Sequence, residues 1–565
     1  IQQIGINPSD SIGPDVDGNT VVSLDFAEDH IVLVGSIAPD DLLIEQLEVV
    51  SQVDEVCVQV SGSVEVCEEI LVANSGMMRV SGFPTFVVPG PDGPIGDLPY
   101  SVVLMNFDDN LEVLAAGGDD DVTITGITGP TRVDGGANDD TFTVVPTGVT
   151  PITGGTFLAE LEIDGGAGAN ALLVDHADIP LTEDILVTDR VIRSNTLPGV
   201  SYGSTQVGNF EPSVTVFGSE LADNIEITST LRGVTTIVSG DDGSDHITVA
   251  SDPNSLAASE LAAIAGRTLL DGGAGSNDRL FVADSAATSG NAEVIFDVVN
   301  VPEIPGDTGV EVTGLAGPAD EVELVYKSGS FERATFRTSD SAALDEDFRV
   351  LDSDGTHLVI EEQAGNGDFF VEAASGHVEI LGGPGQDVVR VTPTSRDVGN
   401  LDHGPLTFLG GGGFDRLDVY DENASAGTSY QFFKDSLVRT AGPGIPIHFS
   451  SALERLNVNT SNSADNVSVI QVPAPRVTLD QGGGDDELYG PSAINTWRID
   501  DTDEGTLNDT FDFVDSENLT GGSGANRFEM RSGAVISGSI TGSISGGDVL
   551  DYSRQSTNVF FDLST

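Results

Sequence analysis

Apolar and polar residues alternate with a period of two through most of this chain. They do so in short runs, each placed after a turn rich in glycine and aspartate. Val388-Val389-Arg390-Val391 follows Gly382-Gly383-Pro384-Gly385-Gln386-Asp387. Val122-Thr123-Ile124 follows Gly117-Gly118-Asp119-Asp120-Asp121, and Thr141-Phe142-Thr143-Val144 follows Gly135-Gly136-Ala137-Asn138-Asp139-Asp140. Alternation of this kind predicts half-buried strands. The turns suit glycine, which accepts positive φ, and aspartate, which tolerates it and offers oxygen ligands. Further copies begin at Gly165, Gly240, Gly272, Gly410, Gly482, Gly521 and Gly546. A unit repeated this often sets the architecture.

The copies are arranged as a long internal duplication. Asp121 and Asp368, Gly135 and Gly382, and Asp140 and Asp387 all stand 247 residues apart. The correspondence runs on with small slippage through Gly165 and Gly410, and through Ala222-Asp223-Asn224 and Ala464-Asp465-Asn466. The shortest Asp-to-Asp steps are 19 to 22 residues, as from 121 to 140 or from 465 to 486. One turn per step of that length predicts one coil of a parallel β-solenoid. Longer steps are then two coils, or one coil with an insertion. Pro253 to Ala265 reads as such an insertion, a short helix closed by Gly266.

Residues 1 to 90 lack the turns and predict a small α+β or β-sandwich domain. Val21 to Phe26 and His30 to Val34 read as strands. Pro39 to Ser51 reads as a helix, with Leu43, Leu47 and Val50 on one face. The expected organisation is therefore all-β: residues 1–90, a first solenoid block at 91–337 and its duplicate at 338–565.

Composition narrows the function. The formal charge is −70, from 92 acidic and 22 basic residues. That argues against nucleic acid, whose phosphates need a basic face, and against an anionic membrane surface. No apolar run is long enough to span a membrane. With 6% aromatics and 68 glycines, small residues in stacked turns are expected to fill much of the interior. Cys57 and Cys67 are the only cysteines. If Ser61-Gly62-Ser63 is a hairpin loop, they face each other across two strands, where a disulfide is geometrically possible. Such a bond favours an oxidising, extracellular setting; the alternative is two free buried thiols.

Stacked coils would bring the turn aspartates within about 4.8 Å of one another. Carboxylates at that spacing repel unless a cation or water intervenes. The candidate ligands of structural Ca²⁺ are Asp121, Asp140, Asp223, Asp245, Asp278, Asp368, Asp387, Asp415, Asp465 and Asp486, helped by turn carbonyls. The competing reading is that aspartate simply favours these turns through local backbone bonds. The seven histidines are scattered without metal-ligand spacing, and a chain this acidic places carboxylate pairs everywhere. No enzyme is therefore expected.

The Gly-Gly-x-Gly-x-Asp turn with its apolar strand resembles the hemolysin-type calcium-binding repeat. Asn495-Thr496-Trp497-Arg498-Ile499, Glu517-Asn518-Leu519-Thr520-Gly521-Gly522-Ser523-Gly524 and Leu550-Asp551-Tyr552-Ser553 are similar to repeats in giant secreted surface proteins of aquatic bacteria, planctomycetes among them. The resemblance covers about residues 110 to 565 and implies an extracellular β-helix that often binds Ca²⁺. Two turns carry asparagine in the aspartate position, at Asn170 and Asn526.

The expectation is an extracellular or cell-surface structural protein of a filament, sheath or adhesive layer. The alternatives are a carbohydrate-binding adhesin and, less favoured, a polysaccharide-active enzyme. The expected partner is the chain itself, head to tail, with surface polysaccharide as a second candidate. An apolar end at Val559, Phe560 and Phe561 would pair with Ile1, Ile4 and Ile6 of the next copy.

Overall fold

The structure, a computed structural model, describes the backbone of ten strands between residues 11 and 105. From 110 to 556 it describes backbone and side chains, the backbone alone at 110 and 322, apart from residues 116–117, 147–156, 203–209, 288–292, 304–307, 316–321, 340–345, 402–403, 441–443, 445 and 545. The assembly residues Ile1, Ile4, Ile6, Val559, Phe560 and Phe561 lie outside the described residues. The chain divides into two compact units, residues 1–248 with 263–276, and residues 249–262 with 277–565.

Each unit is a β-solenoid built from two parallel-dominated sheets. In the first unit one sheet stacks Asp121–Ile124, Thr141–Val144, Ala171–Asp175, Ser213–Phe217, Thr235–Ser239 and Thr268–Asp271, every neighbour parallel. The other stacks Asn110–Leu114, Thr131–Asp134, Leu161–Asp164 and Val200–Tyr202. Each glycine turn carries the chain from one sheet to the other. In the second unit the duplicate of the first stack runs Gly367–Val371, Val388–Val391, Arg416–Tyr420, Arg455–Asn459 and Arg476–Asp480, again all parallel.

The alternation read from sequence is the burial pattern. Val122 and Ile124, Phe142 and Val144, and Val389 and Val391 are fully enclosed between the sheets, while the residues between them face out. The interior is less small-grained than the composition implied. Phe348 stacks on Phe369 at 5.0 Å, and Trp497 on Phe528 at 5.6 Å. In-register stacking places the same position of successive coils side by side, so a few aromatics line up in columns where offset stacking is favourable.

The long steps are single coils with insertions. Asp387 and Asp415, 28 residues apart, occupy adjacent coils. Several insertions are three-stranded antiparallel meanders built into the wall of the solenoid. Asp184–Val187, Val191–Arg193 and Val200–Tyr202 form one, joined in parallel to Asn224–Ile227 on one side and Leu161–Asp164 on the other. Ser429–Phe432, Ser436–Arg439 and Pro446–Phe449 form its duplicate. Val294–Asn300, Thr308–Leu315 and Val322–Lys327 form another, as do Asn495–Asp501, Glu504–Leu507 and Phe511–Val514.

Two helix expectations are corrected. Within Pro39 to Ser51 the structure has a strand, Asp41–Leu47, parallel to Asp121–Ile124 and antiparallel to Met77–Phe83. Its register sets Leu42 opposite Val122 and Ile44 opposite Ile124. A ladder partner with matching apolar positions outweighed the helical spacing of Leu43 and Leu47, a weak local preference. Within Pro253 to Ala265 only Leu256–Ala258 is helical, a single 3₁₀ turn. There the Ser259 hydroxyl donates to Asp252 O at 2.8 Å and accepts from Asp252 N, a local bond that competes with helix. Gly266 is a point of close approach, where a Cβ would collide with the carbonyls of Leu231 and Val234.

The cysteine hairpin keeps its expected backbone register. Glu55–Gln59 pairs antiparallel with Glu65–Glu69 and sets Cys57 opposite Cys67. Their side chains lie outside the described residues. Among the described residues no helix is long and apolar enough to cross a membrane.

Candidate functional site: a ladder of inward carboxyls

In most of the glycine turns the last residue before the strand points inward, and its side chain ties two coils together. The Asp140 Oδ1 accepts the backbone N–H of Asp120 at 2.9 Å, and Asn170 Oδ1 accepts that of Asp140 at 2.8 Å. The duplicate repeats this arrangement. Asp387 Oδ1 accepts Gly367 N–H at 2.9 Å, Asp415 Oδ1 accepts Asp387 N–H at 3.1 Å, and Glu454 Oε2 accepts Asp415 N–H at 2.7 Å. A second series starts beside each of the two duplicated meanders. Glu183 N–H donates to Asp223 and Asp223 N–H to Asp245, at 2.6 and 2.7 Å. Thr428 N–H donates to Asp465, Asp465 N–H to Asp486 and Asp486 N–H to Glu517, at 2.6, 2.6 and 2.9 Å. Each of these bonds satisfies a backbone N–H at the entry to a strand.

The glycines make room for this carboxyl. A Cβ on Gly382 would collide with Asp387 Oδ2, because the carboxyl folds back over the first glycine of its own turn. Gly411 has φ +93°, and a Cβ there would strike the carbonyl of Gly383 on the adjacent coil. The motif therefore encodes coil-to-coil contact: one glycine for the rung and one for the neighbouring backbone.

Burial is the main electrostatic force on the rungs. It pushes the Asp140 carboxyl up to about 7, with Asp120, Asp119 and Asp139 adding like charge. Asp486 is pushed up to about 7 by burial and by the charges of Glu517, Asp465 and Asp485. Asp387 is also raised to about 7, by burial and then Asp415, while buried Glu362 hydrogen-bonds to it. Asp223 and Asp415 are raised too, again through burial.

Neither family models nor characterised proteins match this chain. The ladder must therefore be read from its own chemistry.

Of the ten aspartates expected to act together, Asp140, Asp223, Asp245, Asp278, Asp387, Asp415, Asp465 and Asp486 are buried immediately before strands. Asp121 and Asp368 are one residue out of place. Asp121 is exposed, in register with Thr141, and the rung of that coil is Asp120. Asp368 faces outward and pairs with Arg390 at 2.8 Å; its coil has Gly367 at the rung position. Alternation distinguishes the candidates: counting back by two from buried Ile124 and Val122 reaches Asp120, not Asp121.

Several rung members lack the glycine signature. Glu332 accepts the N–H groups of Asn277 and Asp278, while Glu454 and Glu517 close two series. Asp548 keeps it, after Gly546-Gly547, and accepts Asn526 N–H at 2.8 Å. Their common signal is an acidic or amide side chain directly before a strand, on its inward parity.

Among the described residues, no group of three or more His, Cys, Asp and Glu converges to hold a metal ion. Asp223 and Asp465 spend both oxygens on backbone N–H groups, whereas Asp140, Asp415 and Asp486 spend one. The second oxygens of Asp140, Asp415 and Asp486 are buried without a hydrogen-bond partner among the described residues. The arrangement thus offers a cation single oxygens on separate rungs rather than a preformed cage.

Proposed function

We propose that this chain is an extracellular structural protein, a β-solenoid that forms or decorates a surface filament, sheath or adhesive layer. The observation that carries this reading is the ladder. The residues the sequence repeats most regularly are used to hold one coil to the next. A chain built this way is a stiff, repetitive body whose ends present strand edges suited to another copy. Electron microscopy of the purified protein tests this: regular homopolymers are expected, and a field of single particles at all concentrations would refute it.

Calcium enters this reading as a stabilising counter-ion. Supporting it are the charge of −70 and the unpartnered second oxygens of Asp140, Asp415 and Asp486. A cation bound only by the folded state raises the melting point by mass action. Melting in EDTA and in millimolar Ca²⁺ at matched ionic strength should give separate midpoints. Identical midpoints would leave bound protons as the charge balance of the ladder.

A carbohydrate-binding adhesin is the second reading. It is favoured by a shallow depression of about 450 Å³ beside the first meander, lined by Glu160, Asp189, Arg190, Arg193 and Ser201 among others. Its mix of charged and hydroxyl groups suits a polar sugar. A glycan array with no hits would remove it.

A further inference from the structure

In a protein this acidic, one sheet face of the second unit gathers cationic side chains. Arg279–Ala283, Arg333–Arg337, His357–Glu361 and Val378–Leu381 are parallel on successive coils. Their register sets Arg279 beside Arg333 and Arg333 beside His357, and Leu358 opposite Val378 brings His377 beside His357. The two imidazoles stack with centroids 4.2 Å apart and planes 12° from parallel. His377 Nε2 lies 3.0 Å from Thr407 Oγ1. His448, exposed on the neighbouring strand Pro446–Phe449, is in register with Thr407.

The balancing anion is Glu379, whose Oε2 lies 3.2 Å from His357 Nε2 and 3.6 Å from an Arg333 guanidinium nitrogen. Glu361 is engaged by Arg337 at 2.8 Å. Arg279 hydrogen-bonds to the neutral side chain of Asn277. Facing the stack are therefore Arg333, Arg279 and His448 on the positive side and Glu379 on the negative.

We propose that this face is a proton-gated docking surface for a second copy of the chain. With both imidazoles neutral the patch carries little net charge. When they protonate, two cations stand face to face beside an arginine, an arrangement that repels itself until an anion arrives. A second copy supplies that anion, since its outer turns expose acids such as Asp119, Asp121 and Asp139. Docking and proton uptake are then linked, each favouring the other. Burial, followed by the charge of Arg333 for His357 and of His357 itself for His377, holds both imidazoles below the ordinary histidine value. The gate therefore opens below the ordinary histidine range. This side-to-side contact deepens the scaffold reading and rests on it only in taking the partner to be the chain itself.

Sedimentation velocity at about pH 7.5 and about pH 5, the span over which histidine changes charge, provides the test. Association is expected to be at least about tenfold tighter in acid, the scale of charge-steered encounter, and to dissolve in high salt. His357→Asn with His377→Asn should abolish the acid-dependent part, with the neutral-pH melting point reporting that the variant is folded. Arg279→Glu, at an exposed position, should weaken association at both pH values. A wild type that stays monomeric in acid overturns the proposal, as does a double-histidine variant that associates like wild type. Binding of polyglutamate in acid without self-association would overturn the second copy as partner. Failure of end-to-end filaments in the microscope leaves this sedimentation result unaffected, so the two ideas fail separately.

Discussion

The two duplicated meanders, Asp184–Tyr202 and Ser429–Phe449, share a backbone plan and differ in what anchors them. Both run antiparallel inside a parallel wall, and both start beside a rung: Glu183 N–H on Asp223 and Thr428 N–H on Asp465. In the first, the anchor is neutral. Buried His176 faces Phe217 O through Nδ1 at 3.0 Å and Ser194 Oγ through Nε2 at 3.1 Å, and Glu183 accepts from Thr196. In the second it is ionic: Arg439 Nε lies 2.9 Å from fully buried Asp421, which also takes Tyr430 and, at 2.8 Å, Val398 N–H. What the duplication preserved is the carboxyl-to-backbone rung. The side chains packed around it were free to change from a histidine network to an ion pair.

The sharpest way to separate the two is to break each anchor. Arg439→Met leaves the fully buried Asp421 carboxylate without its cation, and removing one partner of a buried pair costs about 3–5 kcal/mol. His176→Gln breaks a neutral network and should cost about 1–3 kcal/mol, the penalty for unsatisfied buried groups. Denaturant unfolding that ranks them the other way would contradict the distinction.

Acid should move the two regions in opposite directions. Burial raises Asp421 to about 6, against hydrogen bonding from Tyr430 and the charge of Arg439. Its contribution is present below the unfolded value of about 3.9 and is lost as pH rises through the folded value. Burial lowers His176 to about 4. Its contribution is present above about 6.5 and is lost as pH falls toward the folded value. Hydrogen exchange at about pH 4.5 and about pH 7, corrected for intrinsic rates, should show the first meander losing protection in acid and the second gaining. A common direction for both would remove the contrast.

The smallest effect tests what they share. Asp245→Asn and Asp486→Asn, the rungs next to Asp223 and Asp465, should each cost under about 1 kcal/mol, because an amide oxygen accepts the same rung N–H. Asn170 already does so toward Asp140 at 2.8 Å. A large loss on either substitution would mean that the rung needs its charge, as a bound cation would require.

Much of this organisation was legible in the sequence. The glycine turns announce the corners of the coils, and Val122, Ile124, Val389 and Val391 announce which parity is buried. Asp119, Asp120 and Asp121 stand in a row, and only the parity of Val122 and Ile124 carried back across the turn separates the inward one. Glu332, Glu454 and Glu517 have no Gly-Gly pair before their strands to mark them, and a longer side chain reaches the rung without one. The strand Asp41–Leu47 was read as a helix because its deciding partner, Asp121–Ile124, lies 80 residues away. Local periodicity carries no information about such a partner.

The duplicated meanders also bound how much charge the interior accumulates. Before the first, glycine turns at Gly135 and Gly165 lead out of one wall; after it, those at Gly218 and Gly240 lead out of the other. The rung series ending at Asn170 and the one starting at Glu183 are thus separate runs. In the duplicate the first run reaches one rung further, to Glu454, and the second again starts beside the meander, at Thr428. A continuous column of ionised groups would add repulsion with every coil, growing faster than the contacts that offset it. Runs of a few rungs cap that sum, so lengthening the chain by another block adds a fixed electrostatic increment instead of a compounding one.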